Sequence, residues 1–98
     1  MQKHVPHCKL SRIHELISAG KIRATSSSLA GAAAAGLDFA AMVDVIGKLK
    51  TQDFYKSMTS YADHKIWQDV YRPWVSSGRL YLKLTVTDDV LVVSFKEC

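Results

Sequence analysis

Two stretches near the C-terminus alternate apolar and polar side chains with a period of two, which commits them to a sheet with one buried face and one wet face. In residues 79–87, Leu80, Leu82, Leu84 and Val86 alternate with Arg79, Tyr81, Lys83, Thr85 and Thr87. The leucines are the inward set, so Tyr81 and Lys83 face out. Residues 90–97 continue after a turn at Asp88 and Asp89. There Leu91, Val93 and Phe95 are expected on one side and Val92, Ser94 and Lys96 on the other, so that Lys96 shares a face with Tyr81 and Lys83. Residues 54–61 and 66–72 are rich in aromatic and branched side chains but alternate less cleanly. In the second of these, Gln68 falls on the side of Ile66 and Val70, which reads as apolar. Pro73 argues for an edge position or a bulge there, and Ser76, Ser77 and Gly78 supply a hairpin connection.

The leucine face needs a cover, and the first half of the chain supplies helices. Leu10, Ile13, Leu16 and Ile17 recur at helical spacing behind a candidate N-cap, Ser11, and Gly20 stands where a left-handed residue ends a helix. After a polar link over residues 21–25, the cluster Ser26, Ser27 and Ser28 is expected to cap a second helix. That helix runs through Leu29 and the alanines 32–35, a run that suits close packing, and stops at Gly36. Asp38 caps a third, whose stripe is Phe39, Met42, Val43, Ile46 and Leu49. Leu37 and Met42 occupy the staple positions, and Lys48 and Lys50 are expected in the last turn, where the dipole favours them. The reading is α+β: three N-terminal helices packed on a C-terminal, largely antiparallel sheet. Ninety-eight residues leave room for one domain, 1–98, around one modest core.

Thirteen Lys and Arg against nine Asp and Glu give a net charge of +4 and a pI near 9.2, a balance suited to polyanionic partners. Residues 53–74 interleave two Trp and three Tyr with basic and amide side chains, a pattern that suits unpaired bases and the phosphates between them. Cys8 and Cys98 form no CxxC pair, so reduced thiols and a cytoplasmic location are expected. No apolar run of about 18 residues suggests a membrane span. His4, His7 and Cys8 resemble a fragment of a metal site without an evident fourth ligand, so no metal site is assigned. No Ser/His/Asp array, P-loop or dinucleotide fingerprint is present.

The segments DFYKSMTSYADHKIWQDVYRP and GRLYLKLTVTDDVLVVSFKE, with LSRIHELISAGKIRAT and GLDFAAM upstream, closely resemble the MqsR family of bacterial messenger-RNA interferase toxins. The similarity covers nearly the whole chain. It implies a RelE-like microbial ribonuclease fold, and cleavage of messenger RNA at GC-containing triplets without the ribosome or a cofactor. It also implies neutralisation by a cognate antitoxin, a zinc-binding helix-turn-helix protein whose complex represses its own operon; DNA is then met only through that complex. By position, the family's catalytic residues fall on Lys56, Gln68 and Tyr81, with Lys96 as a helper. Lys83, Lys96, Tyr55, Met58 and His64 form the expected substrate-binding set.

Such chemistry needs no metal, because RNA carries its own nucleophile. A base removes the 2′-OH proton, the oxygen attacks the adjacent phosphate, and an acid protonates the departing 5′ oxygen. Lys56 suits either the base or the stabiliser of phosphate charge, Tyr81 a hydrogen-bond or proton donor, and Gln68 the orientation of phosphate or base. His64 is the alternative acid or base. Two other classes fit the same surface: a non-catalytic RNA-binding regulator, and an adaptor that only binds an antitoxin-like partner.

Overall fold

The computed structural model describes residues 1–98. In chain order the elements are β1 (Gln2–Lys3), α1 (Leu10–Ser18), β2 (Ile22–Ala24), α2 (Ser26–Ala34), α3 (Phe39–Gly47), β3 (Phe54–Thr59), β4 (Trp67–Tyr71), β5 (Trp74–Val75), β6 (Gly78–Val86) and β7 (Val90–Glu97), with a 3₁₀ turn at Thr51–Asp53. The sheet order is β1-β3-β4-β6-β7-β2, and β5 pairs separately with β6. Every pair is antiparallel except β2 with β7. The fold is α+β, as the sequence predicts, with a mixed sheet.

The leucine ladder of β6 is inward, with Leu80, Leu82 and Leu84 at most 1% exposed. β7 departs from its simple alternation. Lys83 pairs with Ser94 but Leu84 with Val92, which makes Val93 the extra residue of a β-bulge. The bulge resets the phase, so Val90, Val92 and Phe95 are the buried set. The expected grouping of Leu91 and Val93 with Phe95 is thereby corrected. Past the bulge, Lys96 returns to the face of its partner Tyr81.

Three end signals also shift. α1 begins directly after Lys9 without a side-chain cap, leaving Ser11 inside its first turn. α2 is capped by Thr25, whose Oγ1 accepts from the Ser28 N–H at 3.0 Å, rather than by the serine cluster. Thr25 prevails because β7 already holds it: its N–H donates to the Val92 carbonyl and its hydroxyl to that of Val93 at 3.1 Å. The link expected over residues 21–25 is thus an edge strand, β2. Asp38 caps α3 through the Ala41 N–H at 2.8 Å, as predicted. α3 ends at Gly47, so Lys48 and Lys50 lie beyond its last turn, Lys48 reaching back to Asp44 at 3.0 Å.

Ile13 and Leu16 of α1, Ala32 of α2, and Met42 and Ile46 of α3 meet the inner sheet face in one apolar cluster. No single helix is long and apolar enough to cross a membrane.

The small residues of α2 are there for close approach to β7. A Cβ on Gly31 would stand 2.0 Å from the Phe95 carbonyl oxygen, a distance only a shift of helix or strand could relieve. By propensity alone, alanine would stabilise a helix over glycine by about 1 kcal/mol. Here Gly31→Ala is expected to destabilise by about 1–3 kcal/mol, as overpacking does. Gly47→Ala, where the added carbon meets nothing within 4 Å, is expected to be neutral or mildly stabilising. Urea midpoints of the two variants measured against the parent check the opposite signs.

Candidate active site

The side of the sheet away from the helices collects the polar residues, and the register says which ones. β4 lies between β3 and β6, with Val70 opposite Lys56 on one side and Lys83 on the other. Val70 is fully buried yet takes no part in the core cluster beneath the helices. It is an apolar residue of the outer face, flanked by two lysines whose alkyl stems can cover it. Gln68, two residues away and opposite Met58, therefore lies on this outer face too. Reading Val70 as inward is what made Gln68 look misplaced.

A second irregularity adds Tyr55. The register of β3 against β4 shifts between Phe54 and Lys56, so Tyr55 is a bulge residue and can share the outer face with Lys56. The Lys56 ammonium stands 5.2 Å from the Tyr55 ring centroid. Arg72 covers the same ring at 3.7 Å, and its Nε is buried without a hydrogen-bond partner. Tyr71 pairs with Leu82, so the next residue, Arg72, comes level with Tyr81. Lys96 and Lys83 approach the Tyr81 ring to 5.4 and 6.0 Å.

Four cations, Lys56, Arg72, Lys83 and Lys96, thus surround two phenols. The ion pairs of the protein lie elsewhere, at Arg12 with Glu15, Arg23 with Asp89 and Lys48 with Asp44. Unpaired positive charge on one face is a site for an anion. Burial first, then Tyr55 and Cys98 nearby, push the Tyr81 phenol above its ordinary range, against a smaller downward pull from Arg72. Tyr81 therefore keeps its proton through neutral pH and is equipped to donate it.

The N-terminal segment completes the site. Asp69, buried on the inner face, accepts the backbone N–H groups of His7 and Cys8, both at 2.9 Å. His7 also stacks on Trp67 and meets Lys3 through Nδ1. Anchored in this way, the chain before His7 returns as β1 along β3, where Gln2 Oε1 accepts from Lys56 Nζ at 3.3 Å. Gln2, Met58, Tyr61, His64, Gln68 and Lys83 contribute to the walls of an open groove of about 740 Å³. His64 sits at its outer end, on the exposed loop between β3 and β4.

Residues 5–97 match the family described as "Motility quorum-sensing regulator, toxin of MqsA". The chain is also 56% identical, over 97 residues and 99% of each sequence, to the mRNA interferase toxin MqsR of Escherichia coli strain K12. It belongs to the MqsR toxin family.

On the scaffold of this MqsR-family chain, Lys56, Tyr81, Lys83, Lys96, Tyr55, Met58 and Gln68 share one face, and His64 borders it. They form three levels about 7 Å apart, the spacing of alternate residues on a strand. Gln68 and Met58 make one level, Lys56 and Lys83 the next, and Tyr81 with Lys96 the third. Two residues of the site are absent from the sequence reading. Arg72 follows the last regular residue of β4, and an aromatic neighbour in the segment was its only signal. Gln2 belongs to a two-residue strand, too short to show a period.

Proposed function

We propose that this MqsR-family chain is a toxin endoribonuclease that cleaves single-stranded messenger RNA at GC-containing triplets, without a metal or the ribosome, and so inhibits translation and growth. The four unpaired cations around Tyr81 and Tyr55 carry the reading, because they offer one phosphate several positive contacts and a proton donor. Lys56 takes the 2′-OH proton, the 2′ oxygen attacks phosphorus, and the bond to the 5′ oxygen breaks as Tyr81 protonates it. Arg72 and Lys96 hold the charge that grows on the phosphate. Gln68, about 14 Å from Tyr81 along the strands, orients the neighbouring nucleotide together with Met58 and His64. That separation also argues against His64 sharing a phosphate with Tyr81 and favours Lys56 as the base. Residues 1–98 act as one catalytic unit in the cytoplasm, and the family resemblance supports a zinc-binding helix-turn-helix antitoxin as the partner that neutralises it.

Purified protein is expected to cut unstructured RNA in EDTA, leaving 2′,3′-cyclic phosphate and 5′-hydroxyl ends. A 2′-deoxy sugar at the cut nucleotide should block the reaction. RNA left intact across varied sequences would overturn the proposal in favour of a regulator that binds without cutting.

A further inference from the structure

The outward column of β6 continues past Tyr81. Two residues earlier stands Arg79, paired across the strands with Trp74 of β5. Trp74 is 71% exposed, which leaves unused the apolar burial an indole normally brings to a fold. The Arg79 guanidinium lies 5.0 Å from the indole centroid. Its Nε donates to the Arg72 carbonyl at 3.1 Å, which fixes it beside the residue that flanks Tyr81. No carboxylate pairs with Arg79. The indole rims an open groove of about 1090 Å³ against α3. The acids of that groove are engaged, Asp44 by Lys48 and Asp53 by the Lys50 backbone N–H.

We propose that Trp74 and Arg79 form a second RNA subsite, in which the indole stacks on a base flanking the cut and Arg79 holds the phosphate beside it. Lys83, Tyr81 and Arg79 succeed one another about 7 Å apart on the same strand face, a step comparable to that between phosphates of an extended single strand. An exposed ring next to an unpaired guanidinium is the surface that holds unpaired bases irrespective of sequence. The subsite rests on the reading of this face as an RNA surface, but it acts on binding and not on bond cleavage.

The test uses fluorescently labelled 2′-O-methyl RNA, which can bind but offers no 2′-OH nucleophile. One oligonucleotide covers only the cleavage triplet; two others extend it by a few nucleotides on the 5′ or the 3′ side. Trp74→Ala is expected to weaken one extended oligonucleotide by about tenfold, the value of a single base stack. The short oligonucleotide should bind as before, and Trp74→Phe should keep most of the affinity. The single-turnover rate of Trp74→Ala on saturating cleavable RNA should equal that of the parent. Parent-like binding of both extended oligonucleotides by Trp74→Ala, or an equal loss on all three, would overturn the subsite and leave Trp74 to a protein partner. A parent that prefers an extended oligonucleotide, loses that preference in Trp74→Ala and cuts nothing would keep the subsite and sink the enzymatic reading. A parent that neither binds nor cuts RNA would end both.

Discussion

Replacing Lys56 by alanine is expected to slow single-turnover cleavage by about 10²- to 10⁴-fold with the fold intact, the range for losing a general acid or base. Lys56 stands on β3 one level from Tyr81, flanks the buried Val70, and donates from Nζ to Gln2 Oε1 at 3.3 Å. Along the strands that level is about 7 Å from the level of Tyr81, and β4 lies between the two strands. Lys56→Arg separates the two roles open to it. A guanidinium keeps the charge but cannot give up a proton, so a base replaced in this way stays slow, whereas a charge stabiliser is largely rescued. The expected result is a poor arginine variant. His64→Ala should change the rate by only a few-fold, since His64 sits at the far end of the groove. A folded Lys56→Ala protein that cuts as fast as the parent would remove Lys56 from the mechanism.

Periodicity made the faces of β6 legible because a strand reports its own two sides directly. It could not say which way a neighbouring strand faces, since that depends on pairing. Gln68 shows the limit. Alternation placed it correctly beside Val70, but a buried valine looks inward by composition, and here lysine stems on the outer face are what can bury it. The bulges at Tyr55 and Val93 were illegible for a related reason. Each inserts one residue without changing the local composition, so the apparent phase of β3 and β7 drifts from the real one. Caps were legible where side-chain chemistry alone decides, as at Asp38. They were not where tertiary hydrogen bonds decide, as at Thr25 against the adjacent serines. Of the candidate site, Tyr81, Lys83 and Lys96 lie on the outward face that alternation predicts for them. Arg72 and Gln2 were missed because their positions depend on contacts between distant parts of the chain.

Tyr81→Phe is expected to leave the melting temperature nearly unchanged and to slow cleavage by about 10²- to 10⁴-fold. The substitution keeps the half-buried ring near Lys83 and Lys96 and removes only the hydroxyl. Its direction with pH follows from the raised phenol. Tyr81 is protonated below the ordinary tyrosine value of about 10 and loses its proton only as pH rises through its raised value in the folded protein. An acid in that state is fully competent between about pH 6 and pH 9. The ratio of parent to variant rates should therefore be flat there, whatever Lys56 contributes, because Lys56 is common to both proteins. Were Tyr81 the base, the ratio would climb with pH as more phenolate formed. Substrate chemistry gives the sharper discrimination. An RNA with sulfur in place of the bridging 5′ oxygen departs as a thiolate and needs no proton. On that substrate Tyr81→Phe should recover to within a few-fold of the parent, while Lys56→Ala should remain slow, because attack by the 2′ oxygen still requires a base. If the phenylalanine variant is as impaired on the sulfur substrate as on ordinary RNA, Tyr81 is not the proton donor and its hydroxyl acts on the phosphate instead.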